Sequence, residues 1–98
     1  MKIIPAIDRF NKFVKIAENG CWEWQGHLDI GGYGTFSLNN KPVKAHRFSF
    51  EYHNGPIPKG LELDHLCRNR ACVNPYHLEP VTRQINESRA IQNPHNKL

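Results

Sequence analysis

Two kinds of chemistry are interleaved between Asp64 and Arg89, in the run DHLCRNRACVNPYHLEPVTRQINESR. Cys67 and Cys72 stand five residues apart and His77 follows five later, a compact set of the thiolate and imidazole donors that Zn²⁺ takes in a closed tetrahedral site. Three ligands leave such a site one short, and Cys21, the one other cysteine, is the natural fourth. Around them lie hard oxygen donors and a titratable base: Asp64 and His65 just before Cys67, and Asn86 twenty-one residues after His65. Asp and Asn oxygens suit Mg²⁺ or Mn²⁺, ions held by one or two protein groups together with water and substrate phosphate. A neutral histidine beside such an ion can take a proton from an attacking water near neutral pH. One short segment therefore pairs a zinc staple with a site for phosphate chemistry.

DHLCRNRACVNPYHL followed by Asn86 resembles the HNH, or His-Me finger (ββα-metal), nuclease motif, specifically that of the Cys-His-box homing endonucleases and the small phage HNH proteins related to them. The resemblance implies a strand ending in the general base His65, a loop stapled through Cys67, Cys72 and His77, and a helix returning with Asn86 to a catalytic Mg²⁺. It implies that Asn74 ties the loop together without reacting, and that Cys21 brings the fourth zinc ligand from the preceding sheet. Asp64 is a variation: the Cys-His-box enzymes need no carboxylate there, whereas other His-Me nucleases use one as a second metal ligand. His46-Arg47 resembles a pair common in these relatives, with Arg47 either a phosphate-holding catalytic residue or a tie between helix and sheet. The family's phosphate-clamping arginine of the sheet has no match in Tyr33 to Leu38. The likeness is specific from Leu63 to Arg89, looser from Gly20 to Gly60, and absent at both ends.

The elements that must position these residues read as an α+β domain: a small antiparallel β-meander with short flanking helices, joined to the ββα-metal motif. Ile7, Phe10, Phe13 or Val14, and Ala17 fall at helical spacing, so residues 5–17 of the N-terminal segment 1–19 are expected as an amphipathic helix stopped by Gly20. Period-two alternation follows from Cys21 to Ala45. It places Trp22 and Trp24 in the core, with a tight turn at Asn39-Asn40 and a returning strand from Lys41 that Pro42 restricts to an edge. A helix is expected over His46 to His53, with Ala45, Phe48 and Tyr52 on one face and Asn54-Gly55-Pro56 ending it. His27, His46, His53 and His95 read as ordinary surface or hydrogen-bonded histidines. Residues 20–60 thus form the meander and short helix, and 61–90 the core motif.

Within that motif Leu61 to His65 is a strand. Its alternation sends Leu61, Leu63 and His65 to one side and Glu62 and Asp64 to the other, so metal ligand and base would not converge on a regular strand, which is expected to bend or end near Asp64. Thr82 caps a helix from Arg83 to Ala90, on which Asn86, Arg83 and Arg89 fall on one face. Residues 91–98 read as a disordered tail.

Ninety-eight residues suit one small domain, which a metal would staple. Three cysteines cannot all pair, MKIIPAIDRF lacks the apolar stretch of a secretion signal, and no run is long enough for a membrane. A cytoplasmic, zinc-bound chain is the expectation, and a phage-encoded one by resemblance. The net charge of +4 fits a polyanion partner. Arg68, Arg70, Arg83, Arg89, Lys41 and Lys44 are the candidate DNA contacts, whether the protein acts as one copy or as a homodimer. A plain zinc ribbon needs neither Asp64-His65 nor Asn86. The function expected is therefore metal-dependent hydrolysis of DNA phosphodiesters, with a zinc-containing DNA-binding module that has lost cleavage as the alternative.

Overall fold

The computed structural model describes residues 5–92. Helix α1 spans Ala6–Asn11 and buries Phe10. The helix expected to reach residue 17 stops there, because Val14–Ile16 forms strand β1 and pairs antiparallel with β2, Trp22–Trp24. Branched side chains at Val14 and Ile16 favour the extended form once a partner strand is within reach.

Strands β3 (Thr35–Leu38) and β4 (Lys41–Lys44) form the next hairpin. Its turn is Asn39-Asn40, with φ of 52° and 64°, the left-handed pair that a two-residue hairpin requires. β5 (Glu62–His65) and β6 (Leu78–Val81) make a third antiparallel pair. The strands thus pair two by two rather than as one continuous meander. The reason is the loop between Trp24 and Thr35: Asp29 Oδ1 accepts the N–H groups of Gly31 and Tyr33 at 2.9 and 3.0 Å, which curls the chain away from β2.

Helix α2 runs over Ala45–Asn54 and ends at Gly55, whose φ of 86° suits glycine. Its buried residues are Ala45, His46 and Ser49, whereas Tyr52, expected on the core face, is exposed and lies over Phe48. Helix α3, Arg83–Gln92, takes in Ile91 and Gln92, which were expected in the tail; residues 93–98 of that tail lie outside the described residues. Thr82 caps it, its Oγ1 accepting the Ile85 N–H at 3.1 Å. No described helix is long and apolar enough to cross a membrane.

The main core gathers Phe10, Trp24, Phe36, Ala45 and Val73. Phe10 lies 4.8 Å from Trp24 and edge-on to Phe36 at 5.4 Å (ring centroids), so Trp24 is a core anchor as expected. Its indole covers Gly34, where a Cβ would stand 2.5 Å from the ring, so only glycine fits. Val73 carries the β5–β6 loop into this core. Val73 N–H donates to Trp22 O (2.8 Å), Trp24 N–H to Ala71 O (2.9 Å), and Ser49 Oγ to Val73 O (2.6 Å). The loop is thereby sewn to β2 on one side and α2 on the other. A second cluster, Ile57, Leu63 and Leu78, fixes the β5–β6 pair against the segment after α2.

Candidate active site and metal centre

Sewing residues 71–73 onto β2 brings Cys72 to Cys21, fifty-one positions earlier in the chain. Cys21 Sγ and Cys72 Sγ each lie 3.6 Å from His77 Nδ1, and the ligand atoms of Cys21, Cys67, Cys72 and His77 all fall within 4.8 Å of one another. Ligands of a tetrahedral Zn²⁺, at about 2.0–2.3 Å from the ion, stand about 3.3–3.8 Å apart. The donor set and its spacing therefore fit a structural zinc site. Crowding already polarises the thiols: a hydrogen bond from Cys72 holds the Cys67 thiol well below its ordinary range, the same bond together with burial raises Cys72, and burial raises Cys21. A zinc ion would displace the remaining protons and take all three as thiolates.

Asn74 fastens this loop to the Gly20-Cys21 segment that leads into β2. Its Nδ2 donates to Gly20 O at 2.7 Å and its Oδ1 accepts the Tyr76 N–H at 2.9 Å. The latter bond caps the 3₁₀ turn Pro75–His77, which returns His77 to the sulfurs.

β5 keeps its ladder through His65, paired with Leu78, and ends at that residue. His65 is 4% exposed, and its Nε2 lies 3.0 Å from Cys72 O. A carbonyl can only accept, so Nε2 carries the proton and the lone pair is on Nδ1. Burial lowers the imidazole's affinity for a second proton, outweighing the opposing effect of that bond. His65 is thus a neutral imidazole held in one orientation.

Asp64 leaves the strand on the other face, as alternation requires, and is 3% exposed. Its two oxygens accept from Arg68 Nη1 (2.7 Å) and Arg89 Nη1 (2.8 Å). Arg89 also reaches Glu79 at 2.6 Å, bridging two carboxylates that face each other across the β5–β6 ladder. Asn86 donates its Nδ2 to Glu62 at 2.7 Å, which leaves Oδ1 for a hard cation. Asn86 and Arg89 therefore lie against the Glu62/Asp64 face of β5. Arg83, expected on the same helix face, turns to Glu87 at the surface instead.

The other basic residues are dispersed. Arg70 Nη1 donates to Gly31 O at 2.9 Å and its guanidinium covers Tyr33. Lys44 pairs with Asp29. Lys41 and Arg47 are exposed, with Arg47 on α2 beside Leu38, Val43 and Glu51. The residue of α2 that meets His65 is His46, with ring centroids 4.8 Å apart. Sequence reasoning set His46 aside as ordinary. Its adjacency to Arg47 in a pair familiar from relatives was the signal available. Glu62 was legible as the neighbour of Asp64 on the alternation, but its bond to Asn86 was not.

A hairpin whose first strand ends on Asp-His, a Cys-His cluster in its loop and a returning helix that sets an asparagine against that strand define a zinc-staple-compatible ββα unit. Residues 43–88 match the HNH endonuclease family. The chain is 39% identical over 83 residues to the uncharacterized gene 5.3 protein of Enterobacteria phage T3, covering 78% of both chains. It is 41% identical over 71 residues to Protein 7.7 of Escherichia phage T7 and 36% identical over 80 residues to Protein 2.8 of the same phage. These matches cover 72% and 80% of this chain but only 55% and 54% of the two T7 proteins, so the chain spans about half their length. No solved structure matches it. The chain belongs to the HNH endonuclease family.

Proposed function

We propose that this protein is a metal-dependent DNA endonuclease in which His65 is the general base. The observation that carries the reading is the state of that imidazole: buried, uncharged, its Nε2–H spent on Cys72 O, its Nδ1 left as the acceptor, and Asp64 on the next residue. In-line displacement at phosphorus puts the nucleophile and the leaving oxygen on opposite sides of the phosphate, so a base and a charge-stabilising group are needed on opposite flanks. Asp64 and Asn86 lie on the other face of β5 from His65, so a metal ion held there and the base at His65 would meet on one phosphate only past the end of the strand, where the ladder stops.

His65 Nδ1 takes a proton from the water that attacks phosphorus, and the proton leaves on the imidazolium. Asn86 Oδ1 and Asp64 would hold Mg²⁺ or Mn²⁺, Asp64 through a lone pair that Arg68 and Arg89 leave unused, since a carboxylate offers about four acceptor positions. When bound, the ion neutralises charge developing on the phosphate and the departing 3′-oxygen. The products are then a 5′-phosphate and a 3′-hydroxyl, the departing 3′-oxygen taking its proton from solvent water. The Cys21, Cys67, Cys72 and His77 site takes no part in chemistry. A zinc ion held there would keep the carbonyl of Cys72, and so the tautomer of His65, in place. Lys41, Arg47 and Arg83 meet flanking phosphates, a contribution that salt weakens.

The test is supercoiled plasmid incubated with the zinc-loaded protein, with and without added Mg²⁺ or Mn²⁺. Nicked or linear product that depends on the added ion is expected. Plasmid shifted in a gel yet uncut under every metal condition would instead establish the inactive DNA-binding module.

A further inference from the structure

We infer that His46 is a second substrate-contacting imidazole of this site, donating an N–H to a non-bridging oxygen of the phosphate that the water on His65 attacks. The inference rests on the nuclease reading and deepens it. His46 is the second residue of α2, only 8% exposed, and its ring lies 4.8 Å from that of His65 and 5.5 Å from that of Tyr33. Tyr33 in turn lies 5.7 Å from His65, so three rings enclose one corner of the molecule at the end of β5.

Nδ1 of His46 is sealed from solvent and has no hydrogen-bond partner among the described residues. Packing alone does not account for such a group, since a phenylalanine would fill the space without burying an orphaned polar atom. A neutral imidazole has one donor and one acceptor, and an unpaired buried N–H is rarer in proteins than an under-satisfied acceptor. Nδ1 therefore keeps the lone pair, and Nε2 carries the proton. Burial, and then the neighbouring His65, push the group's protonation down to about 3, so the donor is uncharged at neutral pH and does not compete with His65 for the water's proton.

The surroundings favour an anion. The first turn of α2 has no acidic residue and no capping side chain; Arg47 flanks it, as does Lys44, whose charge is paired with Asp29. Strand β3 (TFSL) carries no arginine to meet the phosphate; the guanidinium beside this corner is that of Arg70, which lies over Tyr33 and donates to Gly31 O. Two imidazoles with centroids 4.8 Å apart can each bond one of two oxygens about 3–3.5 Å apart, the separation of the attacking water from the group it attacks.

Single-turnover cleavage of a duplex with the natural phosphate, or with either phosphorothioate diastereomer at the scissile position, tests this with wild type, His46→Phe and His46→Gln. Zinc content serves as the folding control. His46→Phe keeps the ring packing and removes the donor. It should lower the rate on the natural phosphate by about 10²-fold, the effect of losing one oxyanion donor. The loss should be much smaller on one thio diastereomer, whose sulfur accepts a hydrogen bond poorly in wild type as well. His46→Gln, which restores an N–H, should recover most of the rate. A His46→Phe variant that cuts at the wild-type rate, or that loses the same factor on all three substrates, overturns the inference while leaving the nuclease reading intact. Wild type that cuts none of the duplexes overturns both.

Discussion

Replacing Asn74 by alanine removes two hydrogen bonds that no other side chain can supply, the 2.7 Å bond to Gly20 O and the 2.9 Å bond from Tyr76 N. Both are only part-buried, so water recovers some of the loss. Each then contributes about 0.5–1.5 kcal/mol, and the pair about 1–3 kcal/mol. Against a domain stability of about 5–15 kcal/mol that is a substantial fraction. Because the first bond joins the segment bearing Cys21 to the loop bearing Cys72 and the second sets the turn that returns His77, the loss falls on the preformed geometry of the zinc site. The same 1–3 kcal/mol should appear as zinc binding weakened by roughly 5- to 150-fold. Urea denaturation at fixed free zinc, with a competitive chelator titration of wild type and Asn74→Ala, measures both quantities. Asn74→Asp is an informative control: one oxygen still accepts from Tyr76, but the other faces the Gly20 carbonyl, so it should rescue no more than half. Unchanged denaturation midpoint and zinc affinity in Asn74→Ala would refute the idea that this residue is what fastens the loop.

Removing zinc should do more than weaken the fold, since structural zinc binding of about 10–16 kcal/mol matches or exceeds the stability of a domain this size. Chelation at neutral pH should abolish the near-ultraviolet circular dichroism of the Trp24 cluster; a stripped protein with native signal contradicts the staple. Acid should act on His46, which is faced by His65, Arg47, Lys44 and Asp29. Its folded form resists protonation down to about 3 while the unfolded chain takes the proton near 6.5, so its contribution is present above 6.5 and lost as pH falls below it. The denaturation midpoint should therefore drop between pH 7 and 5 more steeply in wild type than in His46→Phe, and equal slopes would contradict the burial argument.

The metal cluster was legible because donor chemistry and spacing are local: Cys67, Cys72 and His77 lie within eleven residues, and Cys21 followed by elimination. The strand, loop and helix around His65 were legible for the same reason. Alternation along Leu63-Asp64-His65 also separated the face that meets α3 from the face that meets α2. What escaped depends on contacts distant in the chain. Val14–Ile16 has helical spacing but becomes a strand because Trp22–Trp24 lies beside it. Arg89 and Arg68 looked like phosphate contacts until Asp64, buried between them, claimed both. His46 has the sequence of a surface helix residue and is buried only because β5 ends against α2. Local periodicity cannot report which face of a short helix a distant strand will cover.

The most direct measurement is the Mg²⁺-dependent single-turnover rate of DNA cleavage by wild type and His65→Ala, taken together with the zinc bound per chain. One zinc in each protein and a rate about 10²- to 10⁴-fold lower in the variant are expected, the usual contribution of a general base. A His65→Ala protein that binds its zinc and cuts as fast as wild type would contradict the assignment of His65.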